Sequence, residues 1–312
     1  MEFTVFIDGE AGTTGLRVAE RLQAHPHVQI LRVDEAERKN AAARADMMAA
    51  SDVTILCLPD EASVEAVTLA QASQTRLIDA SSAHRIDPDW VYGFAELQPG
   101  QRDAIANGKL ISNPGCYPTG FLALARPLIA SGLLSDTALV CAPAISGYSG
   151  GGKAMIAKHD VGDLDPAFIY GTNLQHKHLG EMKLYSGLKT PPIFMPSVGD
   201  FYAGMLVHIP LHADQIEGSA SGAMIYDCFA DWYHGSALVR MGAAANHADV
   251  PPMLAADALA GRNDMELFVF SDAAEQRFWL TARLDNLGKG ASGAAVQNMN
   301  IALGLDDHFG LS

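Results

Sequence analysis

The sequence predicts an α/β protein with a doubly wound parallel sheet and a second, α+β domain whose sheet is mostly antiparallel. Over roughly the first 110 residues, short apolar runs alternate with stretches of helical spacing, as in parallel sheets with crossover helices. Beyond that point the apolar runs are spaced irregularly. The length of 312 residues suits about two domains, and 49% apolar with 18% charged residues is typical of a folded globular chain.

The first part of the chain is a series of predicted strands and helices. The strand-like runs are Phe3–Asp8, Val28–Val33, Val53–Leu58 and Arg76–Asp79. Helical apolar spacing follows the first run at Thr13–Ala24 and the third run at Glu61–Ala72. The nearly continuous apolar run at 53–58 is typical of a strand covered on both faces, which favours a parallel sheet.

The rest of the chain predicts the α+β domain. A turn at Asn113–Gly115 leads into a long helix at Thr119–Ile129. A helix-like stretch at Ser221–Tyr233 lies among later apolar runs, and helical spacing returns at Gly290–Leu303. The apolar runs that we interpret as strands are Ala138–Ile145, Met205–Leu211, Ala237–Met241, Leu267–Phe270 and Phe278–Leu284.

The charge balance and the cysteines exclude several classes of function. Lys and Arg total 21 and Asp and Glu total 36, a net charge of −15, which argues against a nucleic-acid or anionic-membrane surface. No apolar run approaches the ~18–20 residues of a membrane span, and we find no secretory leader. The four cysteines form no C-x-x-C pair, so we expect free thiols, no structural zinc and a cytoplasmic location.

A glycine-rich turn joins the first predicted strand to the first predicted helix. Glycines in such a turn let a pyrophosphate approach the backbone, and the helix N-terminus offers free N–H groups. The sequence departs from G-x-G-x-x-G. When the motif is aligned to end at Gly15, Glu10 occupies its first glycine position. We interpret the turn as the dinucleotide site of a Rossmann-type domain, the alternative being an ordinary tight turn. The candidate cofactor residues here are Gly9, Gly12, Thr13, Thr14 and Gly15.

Charged residues follow the second predicted strand, where Rossmann-type domains distinguish NAD from NADP. An acidic residue there binds the ribose of NAD, whereas a nearby Arg or Lys accepts the 2′-phosphate of NADP. Asp34 and Glu35 are followed by Arg38 and Lys39, so the pattern is mixed and surface charge explains it equally well.

A cysteine stands at the start of the long predicted helix, in the run SNPGCYPTG at 112–120. A helix N-terminus favours a thiolate, so Cys116 is well placed to react. Pro118 suits a first helical turn, and Gly115 leaves room for a substrate. The other three cysteines lie in apolar or helical patterns and are interpreted as core residues. Taken alone, Cys116 is equally consistent with a nucleophile and with a chance thiol.

The run HKHLGE at 176–181 supplies two imidazoles and a carboxylate. A thiolate nucleophile needs a general acid or base, usually His, oriented by a third group. His176, His178 and Glu181 could fill these roles. A metal site is disfavoured because no fourth ligand lies nearby, and a polar helix start on the surface is the remaining alternative.

Two further glycine-rich segments could contact a phosphate or a nicotinamide. The first, SGYSGGGK at 146–153, contains Ser146, Gly147 and Lys153, but lacks the spacing of an ATPase P-loop. The second, DNLGKGASG at 285–293, contains Asn286 and Gly288 and precedes the last predicted helix. A surface loop and simple helix capping are the respective alternatives.

Together these motifs resemble the N-acetyl-gamma-glutamyl-phosphate reductase family, over essentially the whole chain. The resemblance rests on the GEAGTTG turn, the Pro-Gly-Cys-Tyr-Pro run, the His-x-His-x-x-Glu pattern and the NLGKGA segment at 286–291. The length and the GEAGTTG turn are similar to the shorter, type 2-like branch. Lys177 and Gly180 replace the Arg and Pro of the usual family motif. The related aspartate-semialdehyde dehydrogenases place their cysteine in an Asn-Cys-Ser/Thr context instead.

The resemblance implies a reaction and roles for several residues. Cys116 would attack the acyl phosphate of N-acetylglutamyl 5-phosphate, phosphate would leave, and NADPH would reduce the thioester to the semialdehyde. His178 is favoured over His176 as the acid–base group, with Glu181 orienting it. An arginine after the fourth strand holds phosphate in the family, and Arg85 matches that position. Asn113 and Lys153 are further candidates for phosphate, and Arg38 for NADP.

The resemblance also implies the domain organisation and the partners. Residues 1–114 and 290–312 would form the NADP-binding domain, because the last helix packs back onto it in this fold. Residues 115–289 would form the catalytic and oligomerisation domain of a homodimer or homotetramer. The partners would be the acyl phosphate and inorganic phosphate, without nucleic acid, membrane or metal.

Three other functions stay open. The chain could be an aspartate-semialdehyde dehydrogenase or another acyl-phosphate reductase. It could be a cysteine acyltransferase or hydrolase using Cys116 and His178, although the glycine loops favour a redox cofactor. It could also be a non-catalytic dinucleotide sensor, which would have little use for a cysteine at a helix start.

Overall fold

A computed structural model describes residues 2–218, 220–242 and 253–311. The chain divides into two compact units. The first unit consists of Met1–Ala95, Gly100–Pro114 and Ala291–Ser312. The second unit consists of Glu96–Pro99 and Gly115–Gly290. Residues 96–99 belong to the second unit although the residues on both sides belong to the first. Nothing in the sequence indicates this four-residue excursion.

The helices and strands of the described residues are numbered along the chain. The strands are β1 (Phe3–Asp8), β2 (Val28–Leu31), β3 (Val53–Leu56), β4 (Arg76–Asp79), β5 (Val91–Tyr92), β6 (Leu110–Ser112), β7 (Cys141–Gly147), β8 (Ala167–Ile169), β9 (Ile193–Gly199), β10 (Met205–His212), β11 (Val239–Met241), β12 (Met265–Ser271) and β13 (Arg277–Leu284). The helices are α1 (Thr13–Gln23), α2 (Ala41–Ala50), α3 (Asp60–Leu69), α4 (Gln101–Asn107), α5 (Cys116–Ala130), α6 (Gly152–Asp160), α7 (Leu179–Ser186), α8 (Gly222–Trp232) and α9 (Gly293–Ala302).

The first unit is built on a parallel sheet with the strand order β2-β1-β3-β4-β6-β5. The chain moves outward from β1 to β2 and then crosses to β3 on the other side of β1. This reversal places a topological switch point at the carboxyl ends of β1 and β3, where doubly wound sheets bind their ligands. Every residue of β3 is buried, as the apolar run predicted. The prediction of a doubly wound parallel sheet is confirmed.

The sequence analysis missed α2 and the short strands β5 and β6. The sequence of α2, AAARADMMAA, is rich in alanine and lacks a strong apolar stripe, so its periodicity is weak. Its start is nevertheless capped, because the Asn40 side chain accepts hydrogen bonds from the N–H groups of Ala42 and Ala43. The last helix, α9, packs against α1 and α4 within the first unit.

The second unit contains a mixed sheet whose described strands lie in the order β11-β12-β13-β10-β7-β9-β8. The pairs β11–β12 and β7–β9 are parallel, and the other neighbours are antiparallel. The prediction of a mostly antiparallel sheet is therefore confirmed. Helix α5 packs closely on β10 and β13, since a Cβ at Gly120 would approach the Val207 side chain to 2.8 Å.

The long helix starts earlier than the sequence predicted. We expected it at Thr119, but α5 begins at Cys116, with Gly115 as an extended N-cap. Tyr117 and Pro118 belong to the first helical turn, where a proline N–H is not needed, so the interpretation of Pro118 as a residue of that turn is confirmed. Cys116 is therefore the first helical residue rather than a residue preceding the helix. Over residues 2–218, 220–242 and 253–311, no helix has both the length and the hydropathy needed to cross a membrane.

Candidate active site

The glycine turn after β1 holds α1 against the ends of two strands. Gly9 has φ +90°, and a Cβ there would lie 2.4 Å from the carbonyl oxygen of Cys57. A Cβ at Gly15 would lie 2.4 Å from the carbonyl oxygen of Gly9. Both positions therefore require glycine for packing. At Gly12 a Cβ would make ordinary contacts of 3.4 and 3.5 Å, so packing does not explain that glycine.

The N-terminus of α1 suits an anionic ligand. Gly12 is its N-cap and provides no side-chain cap, and the first turn, with Thr13 and Thr14, has no acidic residue. The N–H groups of this turn point out of the helix start at its positive dipole end. The absence of a side chain at Gly12 leaves that start accessible. The predicted cradle for a pyrophosphate thus fits the residues present.

The charges beside this turn are partly paired with each other. Arg38 is exposed and lies 3.6 Å from the Glu35 carboxylate. Arg32, which the sequence analysis did not single out, pairs with Glu10 of the glycine turn at 3.1 Å. It was missed because it lies inside the run 28–33, which we interpreted as strand, whereas β2 ends at Leu31. The structure therefore brings a second arginine to the end of β2.

Arg85 and Asn113, both predicted to hold phosphate, are brought together in the first unit. Arg85 is buried, and it donates from Nε to the carbonyl oxygen of Asn113 (2.9 Å) and from Nη2 to that of Ala80 (3.1 Å). Asn113 is also buried and accepts from the amide of Asn298 at 3.1 Å. Both side chains thus have defined positions before any ligand binds.

A buried Asp–His pair holds the loop that carries Arg85, and the sequence analysis missed it. Asp79 at the end of β4 lies 2.6 Å from Nδ1 of His84 and accepts hydrogen bonds from Ser63 and Ser81. The His84 ring stacks on Trp90 with centroids 4.2 Å apart. Asp79 gave no signal because its strand-end position is also that of an ordinary polar turn. The residue next to Arg85 is thereby held by Trp90 on a ring face and by Asp79 at Nδ1.

Cys116 occupies the first position of α5, in the second unit. It is half-buried and is not part of a disulfide. The helix has no acidic residue in its first turn, so its dipole favours a thiolate. Glu181 of α7 is fully buried, and its Oε2 accepts a hydrogen bond from the N–H of Gly115 at 3.1 Å. The carboxylate thus ties α7 to the residue immediately before the thiol.

The two histidines lie side by side at the start of α7. His178 is buried and is the N-cap of the helix, and its backbone N–H donates to Nδ1 of His176 at 3.2 Å. The two rings are 4.6 Å apart between centroids, and the His178 ring lies 6.1 Å from that of Tyr117. Burial, followed by the charge of Lys177, lowers the pKa of His176. His176 is therefore neutral at neutral pH, with Nδ1 as an acceptor.

Two tyrosines complete the surroundings of the thiol. The hydroxyl of Tyr117 donates to the carbonyl oxygen of Ser197 at 3.0 Å. Burial raises the pKa of Tyr117, and burial raises that of Tyr170 to about 12; the charge of Cys116 adds to both shifts. Both phenols therefore keep their protons at neutral pH. Tyr170 was missed because its neighbourhood in the sequence contains no motif.

The two later glycine-rich segments meet within the second unit. Asn286 accepts from the N–H of Gly204 at 2.8 Å and donates to Oγ of Ser149 at 3.0 Å. Ser146 is buried, and a Cβ at Gly147 would lie 2.5 Å from the carbonyl oxygen of Tyr202. Gly288 is equally confined, because a Cβ added there would lie 2.0 Å from the carbonyl oxygen of Arg262.

Lys153 lies outside these close contacts between the two glycine-rich segments. It is exposed on α6, a helix without a buried residue. For metals, no cluster of three or more His, Cys, Asp or Glu side chains suited to a metal ion occurs in the part of the chain that the structure describes.

A thiol at a helix start, imidazoles nearby and a glycine turn for a dinucleotide define a class of cysteine-dependent oxidoreductases. The family models agree. Residues 4–107 match the NAD binding domain of semialdehyde dehydrogenases, and residues 116–286 match their dimerisation domain.

The more specific family follows from curated relatives. The chain is 48% identical over 318 residues to an N-acetyl-gamma-glutamyl-phosphate reductase of Trichormus variabilis, covering 98% of each chain. It is 48% identical over 310 residues to the protein of the same name from Brucella ovis, covering 97% of this chain and all of that one. The chain belongs to the N-acetyl-gamma-glutamyl-phosphate reductase family.

Solved structures with a similar fold are aspartate semialdehyde dehydrogenases. Enzyme II from Vibrio cholerae, complexed with ASA, has a TM-score of 0.70 and 16% identity, covering 97% of this chain and 98% of that chain. The enzyme from Candida albicans, with NADP, has a TM-score of 0.67 and 13% identity, covering 96% and 98%. At these identities the likeness concerns the fold.

Proposed function

We propose that this chain reduces N-acetyl-L-glutamyl 5-phosphate to N-acetyl-L-glutamate 5-semialdehyde and releases inorganic phosphate, a step of arginine biosynthesis. The observation that carries the proposal is Cys116 at the start of α5, with Gly115 held by Glu181. A thiol so placed accepts an acyl group, and the family's name specifies the acyl phosphate.

Cys116 is the nucleophile of this proposal. Its thiolate forms a bond to the acyl carbon, and the carbon–oxygen bond to phosphate breaks with its electron pair leaving on phosphate. The product of this step is a thioester on Sγ. Backbone N–H groups at the start of α5 stabilise the negative oxygen that develops on the acyl carbon. The thioester divides one difficult reduction into two easier steps.

His178 is the acid–base residue. It takes the proton of the Cys116 thiol and protonates the intermediate that collapses to the aldehyde. The hydrogen bond from its own backbone N–H to His176 supports this assignment, because Nδ1 of His176 is already used as an acceptor. His176 is accordingly a positioning residue. Glu181, one helical turn after His178, orients it and holds Gly115.

NADP is the proposed cofactor, and in its reduced form it supplies the hydride. The turn at Gly9, Gly12 and Gly15, with Thr13 and Thr14, would hold the pyrophosphate. Arg38 would contribute to binding the 2′-phosphate. Within the second unit, Ser146, Gly147, Asn286 and Gly288 would be further candidates for cofactor contacts.

Arg85 and Lys153 are the cationic residues that we assign to the phosphate of the substrate. Arg85 and Asn113 are buried and mutually positioned, which supports their assignment to the phosphate of the substrate. Lys153, exposed on α6, is a second candidate. Residues 1–114 and 290–312 act as the NADP-binding domain, and residues 115–289 as the catalytic and oligomerisation domain. None of the four cysteines, all of which lie in the described residues, is part of a disulfide, which supports a cytoplasmic location.

We further propose that copies of the chain associate as a homodimer or homotetramer through the open face of the mixed sheet. Exposed apolar side chains on this face include Trp279 (54% exposed) and Ile193 (52%), with Pro210 opposite Trp279 in the register. The family model that covers this part of the chain is a dimerisation domain. Light scattering on the purified chain measures the assembly; a monomer at micromolar concentration would contradict the proposal.

The substrate is tested by the reverse reaction. N-acetylglutamate 5-semialdehyde, phosphate and NADP should give NADPH, measured by its absorbance, and omission of phosphate should stop turnover. Aspartate semialdehyde should give a kcat/KM lower by about tenfold or more. Cys116→Ser should reduce kcat about a thousandfold or more, because the oxygen nucleophile is far weaker.

The controls separate the alternative functions. Preference for aspartate semialdehyde would contradict the proposed substrate. Turnover without phosphate would contradict the proposed role of phosphate in the reaction. Full activity of Cys116→Ser would contradict the assignment of Cys116 as the nucleophile. Cys141→Ser is the matched control, since Cys141 is also half-buried, and it should leave kcat unchanged.

The acid–base assignment is tested by two matched substitutions. His178→Asn should lower kcat by about 10²–10⁴-fold, because the group that moves the proton is lost. His176→Asn should have a smaller effect, since it removes only an acceptor for the His178 N–H. Steady-state kinetics over a pH range measures both. The opposite ranking of the two variants would exchange their roles.

A further inference from the structure

An ion pair between a buried lysine and a half-buried glutamate lies in the second unit, outside the residues assigned above. Lys289 is 1% exposed, and its Nζ lies 2.9 and 2.8 Å from the two carboxylate oxygens of Glu96. The carbonyl oxygen of Glu96 accepts from Nε1 of Trp232 at 3.3 Å. Glu96 belongs to the four-residue excursion at 96–99. The pair therefore joins two segments that are almost 200 residues apart in sequence.

Such a pair is a poor device for stability alone. Removing two charges from water costs several kcal/mol per ion, and well-packed apolar residues of similar volume often stabilise a fold as well or better. In some proteins a buried ion pair instead fixes the position of its neighbours. One neighbour of Lys289 in the chain contacts the residue proposed to react.

The neighbour is Gly290, which packs on the nucleophile. A Cβ at Gly290 would lie 2.8 Å from Cβ of Cys116 and 3.2 Å from its Cα. The backbone of residue 290 is therefore in direct contact with the residue proposed to react. A shift of a few tenths of an ångström in this backbone changes the space available to the Cys116 side chain.

The segment that carries Lys289 is a π-helical turn, Gly288–Ser292, and is anchored at its beginning. Gly290 donates to the carbonyl oxygen of Asp285 at 2.9 Å, a bond from residue i to i−5. The Asp285 carboxylate accepts from the N–H groups of Gly261 (2.6 Å) and Leu287 (2.8 Å). A single π-turn is intrinsically less favourable than an α-turn and needs such external support. Lys289, inside the turn, is anchored by Glu96.

We propose that the Lys289–Glu96 ion pair is a positioning device for Cys116. It holds the π-turn so that the backbone of Gly290 packs against Cys116 and sets the direction of its side chain. This inference rests on the proposed role of Cys116 as the nucleophile. Neither Lys289 nor Glu96 is assigned to the reacting atoms, and both act through Gly290.

The test replaces both charges together, in order to keep the fold. Lys289→Met/Glu96→Met should retain the melting temperature within a few degrees, because an apolar pair of similar volume substitutes for the ions. Alkylation of Cys116 by iodoacetamide is then followed by peptide mass spectrometry over a range of pH, with no substrate or cofactor present. We expect a rate changed by about fivefold or more and a shifted pH midpoint. In turnover, kcat should fall about tenfold or more, with KM little changed.

Two further variants make the result decisive. Lys189→Met/Asp136→Leu removes an exposed ion pair of the same unit and should change neither alkylation nor kcat. Gly290→Ala leaves the buried pair intact but places a Cβ on Cys116, so it should also alter alkylation. It decides the question if the first double variant fails to fold.

The outcomes distinguish this inference from the proposed function. A folded Lys289→Met/Glu96→Met variant with wild-type alkylation and kcat would overturn the positioning role. So would wild-type alkylation of Gly290→Ala. If the wild-type chain reduces no acyl phosphate, the proposed function fails, while the alkylation measurements still test the placement of Cys116.

Discussion

The arrangement depends on the start of α5 being held in place. The N–H of Gly115, which no residue of α5 can use, donates to the buried carboxylate of Glu181. That bond gives an orphan donor a buried carboxyl oxygen as its partner, and it connects α7 to the residue before Cys116. Because Gly290 packs on the same cysteine from another segment, the thiol is confined from two directions. A reactive group in a fixed position lowers the entropy cost of reaching the transition state.

Much of the fold could be predicted, because it depends on local pattern. The run at 53–58 is apolar at almost every position since β3 is covered on both faces, and the glycine turn marks the junction of β1 and α1. The start of α5 was placed three residues late, at Thr119, although Pro118 was interpreted as a residue of a first helical turn. Helix α2 was missed since alanine shows no contrast between faces.

The candidate site was only partly predictable. Cys116 and the two histidines lie in compact motifs, so the sequence indicates them directly. The paired groups beside the site residues lie outside these motifs: Glu96 meets Lys289 from a distant segment, and Asp79 meets His84, five residues along the chain, beside Arg85. The sequence does not indicate these pairs, because their formation and burial depend on the tertiary fold. The net charge of −15 likewise says little about individual buried cations, such as Lys289, which is paired with Glu96, and Arg85, which donates to backbone carbonyl oxygens.

In the proposed reaction the acyl group passes through a thioester on Cys116. This thioester is tested by mass spectrometry of the chain after incubation with N-acetylglutamate 5-semialdehyde and NADP without phosphate, followed by an acid quench. We expect an N-acetylglutamyl group on the peptide containing Cys116, its removal on adding phosphate before the quench, and its absence in Cys116→Ser. NADPH formation without any acylated cysteine, or acylation of a different cysteine, would rule out the thioester on Cys116.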